Sequence, residues 1–276
     1  DKKIPIKYVF DSDWAPFEWK NELNEHTGIV YDLLHLITER TGIILESVPT
    51  ENWSQAVQLA ESKQIDMYGG LGENEDRKKY MNFTKNTLYK TPYVFIVHKD
   101  NENDYFDTFN SLKHNEKIAV VDEYTIEGIM KDKQPEVNIH TVSSIMEGFR
   151  QLENKDIDIF LVNAATAKYY INRKGFTDLK IATKTEYQLE IKSAIRNDWP
   201  PEVISILDKA LASISDKELS DIYLKWTEIS VEKKIDWILI YEIVAGALVL
   251  ILLGAYWNRR LKKAVDSKTK ELQKLL

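Results

Sequence analysis

Chemistry in this chain rests on carboxylates, one arginine and a run of glycines. Asp11, Asp13 and Glu123 are carboxylates that could work as acid or base. They form no definite catalytic pair in the sequence. Gly69-Gly70-Leu71-Gly72 follows a strand-like run, Ile65–Tyr68, and would give backbone N–H groups close access to a ligand. Arg77 comes shortly after, and a guanidinium is the side chain best suited to a bidentate carboxylate grip. Its competing reading is a solvated surface arginine beside Lys78 and Lys79. There are no cysteines, so thiol nucleophiles, disulfides and thiolate metal sites are excluded. The 5 histidines are scattered and form no HExxH pair, which points away from a zinc enzyme. No cofactor is implied.

The elements that must position these residues alternate between strand and helix. Lys7–Phe10 reads as a strand, and Ile29, Val30, Leu33, Leu34 and Ile37 repeat at helical spacing before Thr41-Gly42 stops the helix. Ile43–Val48 is a strand, Ser54 to Ser62 a short helix, and Ile65–Tyr68 a strand. The order then recurs as strand Lys117–Val121, helix Thr125–Lys131, strand Val137–Val142, helix Ser144–Asn154 and strand Ile157–Val162. Glu61-Ser-Lys-Gln-Ile-Asp66 aligns with Glu153-Asn-Lys-Asp-Ile-Asp158 at the equivalent place. This alternation implies an α/β fold of two similar lobes with a cleft between them.

The 276 residues are 43% hydrophobic and 29% charged, an ordinary globular balance that rules out wholesale disorder. With 37 Lys+Arg against 44 Asp+Glu the net charge is −7, which disfavours generic nucleic-acid binding. One segment departs from the average. Trp237–Trp257 carries only Glu242 as a charge and has aromatic residues at both ends. As a helix it would rise about 31 Å, close to the hydrocarbon thickness of a bilayer. The competing reading is a buried core helix. Arg259, Arg260, Lys262 and Lys263 follow the span, whereas Lys233 and Lys234 before it are diluted by acids. The positive-inside rule then places 258–276 in the cytoplasm and 1–234 outside, in the periplasm or the extracellular space, with 235–257 crossing the membrane. Leu261, Val265, Lys268, Leu272 and Leu275 have the 4-3-4-3 spacing of a coiled-coil seam, the alternative being a solvated charged helix.

Several segments together carry a family likeness: Asp11-Ser-Asp-Trp-Ala-Pro-Phe-Glu-Trp19, Thr27-Gly-Ile-Val-Tyr-Asp32, Glu75-Asp-Arg-Lys-Lys79 leading to Asn82-Phe-Thr84, Ile157–Asn163, Asp178–Ala182, Arg196-Asn-Asp-Trp-Pro200, and Ile222-Tyr-Leu-Lys-Trp226. In this order they resemble the bacterial periplasmic solute-binding proteins of the amino-acid-binding type (family 3). The likeness is strongest to the Venus-flytrap sensor domains of membrane-bound histidine kinases and diguanylate cyclases. It implies a type II two-lobed fold over 1–230, with lobe 1 about 4–93 plus 193–228 and lobe 2 about 97–190. Strands near Tyr93–His98 and Leu189–Ile195 would cross between the lobes as the hinge.

The resemblance also implies a ligand set. Asp11 matches a cleft carboxylate for an amine or amide, Trp14 and Trp53 match aromatic walls, Gly70 matches a backbone donor, and Arg77 matches the carboxylate-gripping arginine. Tyr124 and Thr125 fall at a lobe 2 helix N-terminus, and Asn163 ends a lobe 2 strand. Three positions depart from the amino-acid-transport pattern. Gly72 replaces a hydroxyl residue, Glu123 a glycine, and Asn163 an aspartate. The implied function is ligand sensing, not catalysis in this segment. A small polar solute, an amino acid or a relative, would close the cleft, and a homodimer would relay closure to a cytoplasmic output domain. The alternatives are a membrane-tethered binding protein serving a transporter and, third, an enzyme on the same scaffold.

Overall fold

The computed structural model describes residues 5–101, 109, 116–227 and 237–275. The chain divides into two compact units, Asp1–Ile229 and Ser230–Leu276.

The first unit is built on one long sheet, ordered β10-β9-β11-β8-β12-β6-β1-β5 among the described residues, with β7 (Met81–Phe83) also paired to β12. Lobe 1 holds β1 (Ile6–Val9), β5 (Leu45–Ser47) and β6 (Met67–Gly72), and β1 pairs in parallel with both others. Lobe 2 repeats the arrangement with β9 (Ile118–Val121), β10 (Ile139–Val142) and β11 (Ile159–Asn163). β8 (Tyr89–His98) and β12 (Leu179–Arg196) run antiparallel to each other and to their neighbours, and they cross between the lobes. Their ladder breaks between Lys184 and Gln188, opposite Pro92 and Tyr93. Proline has no N–H to give to the ladder. The Thr185 hydroxyl fills in, donating to the Tyr93 carbonyl at 3.1 Å and accepting from the Tyr187 N–H at 3.2 Å. Two strands thus cross between the lobes where the resemblance placed them, and their ladder is interrupted here and again between Ile181 and Thr183.

Each helix forms for a local reason. α1 (Ile29–Thr41) buries Ile29, Val30, Leu33, Leu34 and Ile37 on one face. It ends at Gly42, whose φ of 66° is the left-handed region glycine tolerates. α2 (Trp53–Glu61), α3 (Glu75–Lys78) and α5 (Ile145–Glu153) start on Asn52, Asn74 and Ser144, whose side chains accept a hydrogen bond from the first turn. α4 (Thr125–Lys133), α6 (Ala164–Arg173), α7 (Pro201–Ala212) and α8 (Asp216–Thr227) complete the unit.

The internal repeat is visible bond by bond. Lys63 and Lys155 both turn the chain with positive φ, 59° and 64°. Gln64 N–H donates to the Leu59 carbonyl at 2.8 Å, and Asp156 N–H donates to the Gln151 carbonyl at 2.9 Å. Asp66 accepts from the Lys7 N–H at 3.0 Å, and Asp158 from the Lys117 N–H at 2.8 Å. The two aspartates thus pin the same helix–turn–strand unit to the first strand of each lobe.

Two expectations change. The strand beginning near Ile65 does not stop at Gly69-Gly70 but runs through both to Gly72. A β-carbon at Gly70 would lie 2.8 Å from Val30 Cγ2 and 3.1 Å from Ile191 Cγ2. These glycines let α1 pack closely on the sheet. A small separate sheet, β2 (Asp13–Trp14), β3 (Glu18–Lys20) and β4 (His26–Thr27), also forms an arm on lobe 1 that the alternation did not reveal.

The second unit is one helix, α9 (Trp237–Leu275), covering both the expected span and the segment after it. Within it, Val244–Lys263 is long and apolar enough to cross a membrane by length and composition. Leu261 and Val265 of the expected seam are exposed. The side chains of Lys268, Leu272 and Leu275, and the flank holding Lys233 and Lys234, lie outside the described residues.

Candidate functional site

The carboxyl ends of the lobe strands meet at the cleft, where ligands of open α/β sheets bind. Asp11, Trp14, Trp53, Gly72 and Arg77 line it from lobe 1, and Tyr124, Thr125 and Asn163 line it from lobe 2. Two expected residues are not in that lining. Gly70 faces Val30 in the lobe 1 core, as above. Glu123 lines a neighbouring cavity, and its carbonyl accepts from Arg77 at the lobe boundary. Its φ of 58° lies in the left-handed region that glycine adopts most readily.

Arg77 is held by Asn74, which caps α3 and accepts the Arg77 N–H at 2.8 Å. Arg77 as a whole is 4% exposed. It donates to the Gly72 carbonyl at 2.6 Å, to Thr125 Oγ1 at 3.0 Å and to the Glu123 carbonyl at 2.6 Å. It also lies 5.3 Å from the Trp53 ring centre. Burial lowers its affinity for the proton, yet an arginine stays charged. The fork expected to grip a solute carboxylate is thus engaged by two groups of lobe 2.

Asp11 is treated the same way. Its carboxylate accepts from the Tyr124 hydroxyl and, at 2.9 Å, from the Asp13 N–H. Burial pushes the Asp11 carboxyl up to about 7, while these two donors pull in the other direction. The Tyr124 ring sits 6.1 Å from Trp14 and 6.0 Å from Trp53, edge-on to both. Tyr124 therefore occupies the aromatic walls as well as the carboxylate. Trp53 Nε1 donates to the Glu123 carbonyl at 3.3 Å. Asn163 spends its amide on capping α6, accepting from Thr166 N–H at 3.0 Å and donating to Thr166 Oγ1 at 3.1 Å.

Asp13 is the residue whose role the sequence did not disclose. Its Oδ2 accepts from the Met146 N–H at 2.8 Å, in the first turn of α5, and its Oδ1 accepts from the Tyr170 hydroxyl. A carboxylate from lobe 1 thus caps a helix of lobe 2, where the free N–H groups favour negative charge. The alternating Asp11-Ser-Asp13 was the one available signal. With these bonds in place the cleft retains about 20 Å3, room for a water but not for an amino acid.

The profile of the bacterial extracellular solute-binding proteins, family 3, matches residues 6–229. The chain belongs to this family. It is 24% identical over 225 residues to the virulence sensor protein BvgS of Bordetella pertussis, covering 80% of this chain and 18% of BvgS. It is 22% identical over 276 residues to the sensor protein EvgS of Escherichia coli K12, covering 96% of this chain and 22% of EvgS. The chain thus spans about a fifth of the length of these curated relatives. A doubly substituted VFT2 domain of Bordetella pertussis BvgS has the same fold, with a TM-score of 0.70 at 25% identity over 80% of this chain and 92% of that one. The family 3 unit is a solute-binding domain, and its two-lobed form is as the resemblance implied.

Within this family 3 domain Gly72 acquires a specific meaning. A β-carbon there would lie 2.2 Å from Thr125 Oγ1, 2.9 Å from Thr125 Cβ and 2.8 Å from Leu189 Cδ1. The bare glycine is what lets the two lobes meet at this point. Gly72→Ala is expected to disfavour the closed arrangement by about 1–3 kcal/mol. Labels on Glu75→Cys in lobe 1 and Lys133→Cys in lobe 2 measure this cleanly, because the chain has no other cysteine. The expected result is a longer label separation; an unchanged one would mean that Thr125 yields locally instead.

Proposed function

We propose that the chain is the extracytoplasmic solute-sensing part of a bacterial transmembrane signal-transduction receptor. Its ligand is a small polar solute, an amino acid or a related molecule, taken into the cleft between the lobes. Residues 235–257 cross the inner membrane, with 1–234 outside and 258–276 inside. A homodimer relays the cleft state to a cytoplasmic output domain, a histidine kinase or a diguanylate cyclase.

The observation that carries this reading is the pairing of Asp11 and Arg77 with aromatic walls in one cleft. A carboxylate and a guanidinium complement the two charged ends of an amino acid. A further donor waits nearby: Trp14 Nε1 is buried without a hydrogen-bond partner among the described residues, in a side chain that lines the cavity. The names of BvgS and EvgS as sensor proteins, and the apolar helix following the domain, support the receptor part of the reading.

Because Tyr124, Thr125 and the Glu123 carbonyl already engage Asp11 and Arg77, the solute acts on closed lobes. It must part them enough to enter and replace those bonds. The resulting shift is set by its difference in affinity for the two arrangements.

The test is thermal stability of the full chain in detergent against amino acids, amines, organic acids and nucleobases. A solute that binds the folded protein raises the midpoint with concentration as RT ln(1 + [L]/Kd). One class is expected to do so, with a smaller rise in Trp53→Ala, which strips one wall. A flat panel would remove the solute reading.

A further inference from the structure

α8 is the last element before α9 among the described residues, and none of its residues is fully buried. Its position therefore depends on lateral contacts, which include the Arg40–Glu218 ion pair to α1 and the packing of Leu219 and Ile222 on the core. Lys225 Nζ and Trp226 Nε1 both donate to Asp32 Oδ2 on α1, at 2.6 and 2.7 Å. Tyr223 stacks on Tyr89 at 5.0 Å. Both of these ties stay within lobe 1. A further contact is different. Trp226 stands edge-on to Trp19 of the arm, with ring centres 5.1 Å apart at 89°. Trp19 also packs on Tyr169 of α6, in lobe 2, at 5.6 Å.

The arm meets α6 at two adjacent residues. Tyr170 donates its hydroxyl to Asp13, and Tyr169 lies on Trp19. Asp13 and Trp19 are themselves paired across β2 and β3. So the carboxylate that ties the arm to lobe 2 and the indole that touches α8 sit opposite each other in one small sheet. Any parting of the lobes that withdraws α6 takes away one of the two rings that hold Trp19 in place.

We propose that Trp19 is the positioning residue that couples lobe 2 to α8, transmitting the position of α6 to the helix that leads toward α9. This rests on the sensor reading for its purpose, but not for its measurement. Trp19 links two ring partners that belong to different lobes, so its loss should uncouple them without touching the cleft side chains.

The experiment is hydrogen exchange of the α8 backbone amides at residues 223–227, on the full chain in lipid nanodiscs. Tyr169→Ala removes the lobe 2 contact directly. It is expected to speed exchange at these amides by about threefold to tenfold, the scale of one aromatic pair. Trp19→Ala alone should give a similar increase, and adding Tyr169→Ala to it should add less than twofold. Trp19→Phe, which keeps an aromatic ring, should restore the response to Tyr169→Ala. A merely structural role for Trp19 would speed exchange but leave the Tyr169→Ala effect intact, and that result would overturn the proposal. So would an α8 indifferent to Tyr169→Ala in the parent. Failure of the solute panel would leave this result standing, so the two readings fail separately.

Discussion

Arg77→Ala should part the lobes and lower the thermal midpoint. The change removes the bonds to Thr125 Oγ1 and to the Glu123 carbonyl, which cross between lobes, and the bond to the Gly72 carbonyl, which does not. Bonds from a charged donor contribute about 1.5–3 kcal/mol each. Water reaches the freed carbonyls once the lobes separate, so the net loss is below the sum. About 3 kcal/mol remains, close to a hundredfold in the closed-to-parted ratio. The midpoint should fall by roughly 5–10 °C. Arg77→Lys should recover only part of this, because an ammonium lacks the planar fork that serves three acceptors at once. The separation between labels at Glu75→Cys and Lys133→Cys should lengthen in Arg77→Ala. If both separation and midpoint match the parent, the arginine is not what joins the lobes.

The second large effect is a pH dependence of closure with a definite sign. An exposed aspartate titrates near 4. Burial holds Asp11 at about 7 in the closed arrangement. Its pKa is raised on closing, so the contribution to stability is fully present below pH 4 and is lost as pH rises to 7. Above that, the closed form must keep an ionised carboxylate out of water, at a cost of about 4 kcal/mol. The parted fraction should therefore grow between pH 4 and 7. Asp11→Asn, which keeps the shape without the charge, should flatten the curve. Two other buried groups titrate with global unfolding instead. Burial holds Glu18 well above the ordinary carboxylate range, the same sign as Asp11. Burial lowers His26 to about 3, so stability is lost as pH falls through the ordinary histidine range toward that value. The Asp11→Asn comparison is what separates Asp11 from Glu18, whose carboxylate accepts the Asp11 N–H at 2.9 Å, and from Asp13, which also joins the lobes. A pH-independent separation in the parent would contradict the assignment.

What the sequence discloses is what local rules control. The alternation of apolar runs locates β1, β5, β9, β10 and β11 to within about two residues at each end, and β6 except for its continuation to Gly72. The Glu61–Asp66 and Glu153–Asp158 match reports a shared turn, because Lys63 and Lys155 occupy the same left-handed conformation. Residue type identifies Arg77 and Asp11 as groups that bind charge. It does not identify their partners, which lie tens of residues away and on the other lobe. Tyr124 is 113 residues from Asp11, and Tyr170 is 157 from Asp13. The spacing of Gly72 against Thr125 is likewise a property of the closed lobes and not of either segment. The arm was missed because strands of two or three residues leave no periodicity to detect.

The most direct measurement is the Glu75→Cys/Lys133→Cys label separation in the full chain, titrated with the common amino acids, putrescine, succinate and adenine. At least one of them should change the separation saturably. Tyr124→Phe removes the hydroxyl that occupies Asp11 and keeps the ring between Trp14 and Trp53. If the solute competes with the protein's own cross-lobe bonds, this change should lower the half-saturating concentration by about tenfold. A separation that no solute alters, or a half-saturating concentration that rises in Tyr124→Phe, would contradict a cleft held shut by the groups that receive the ligand.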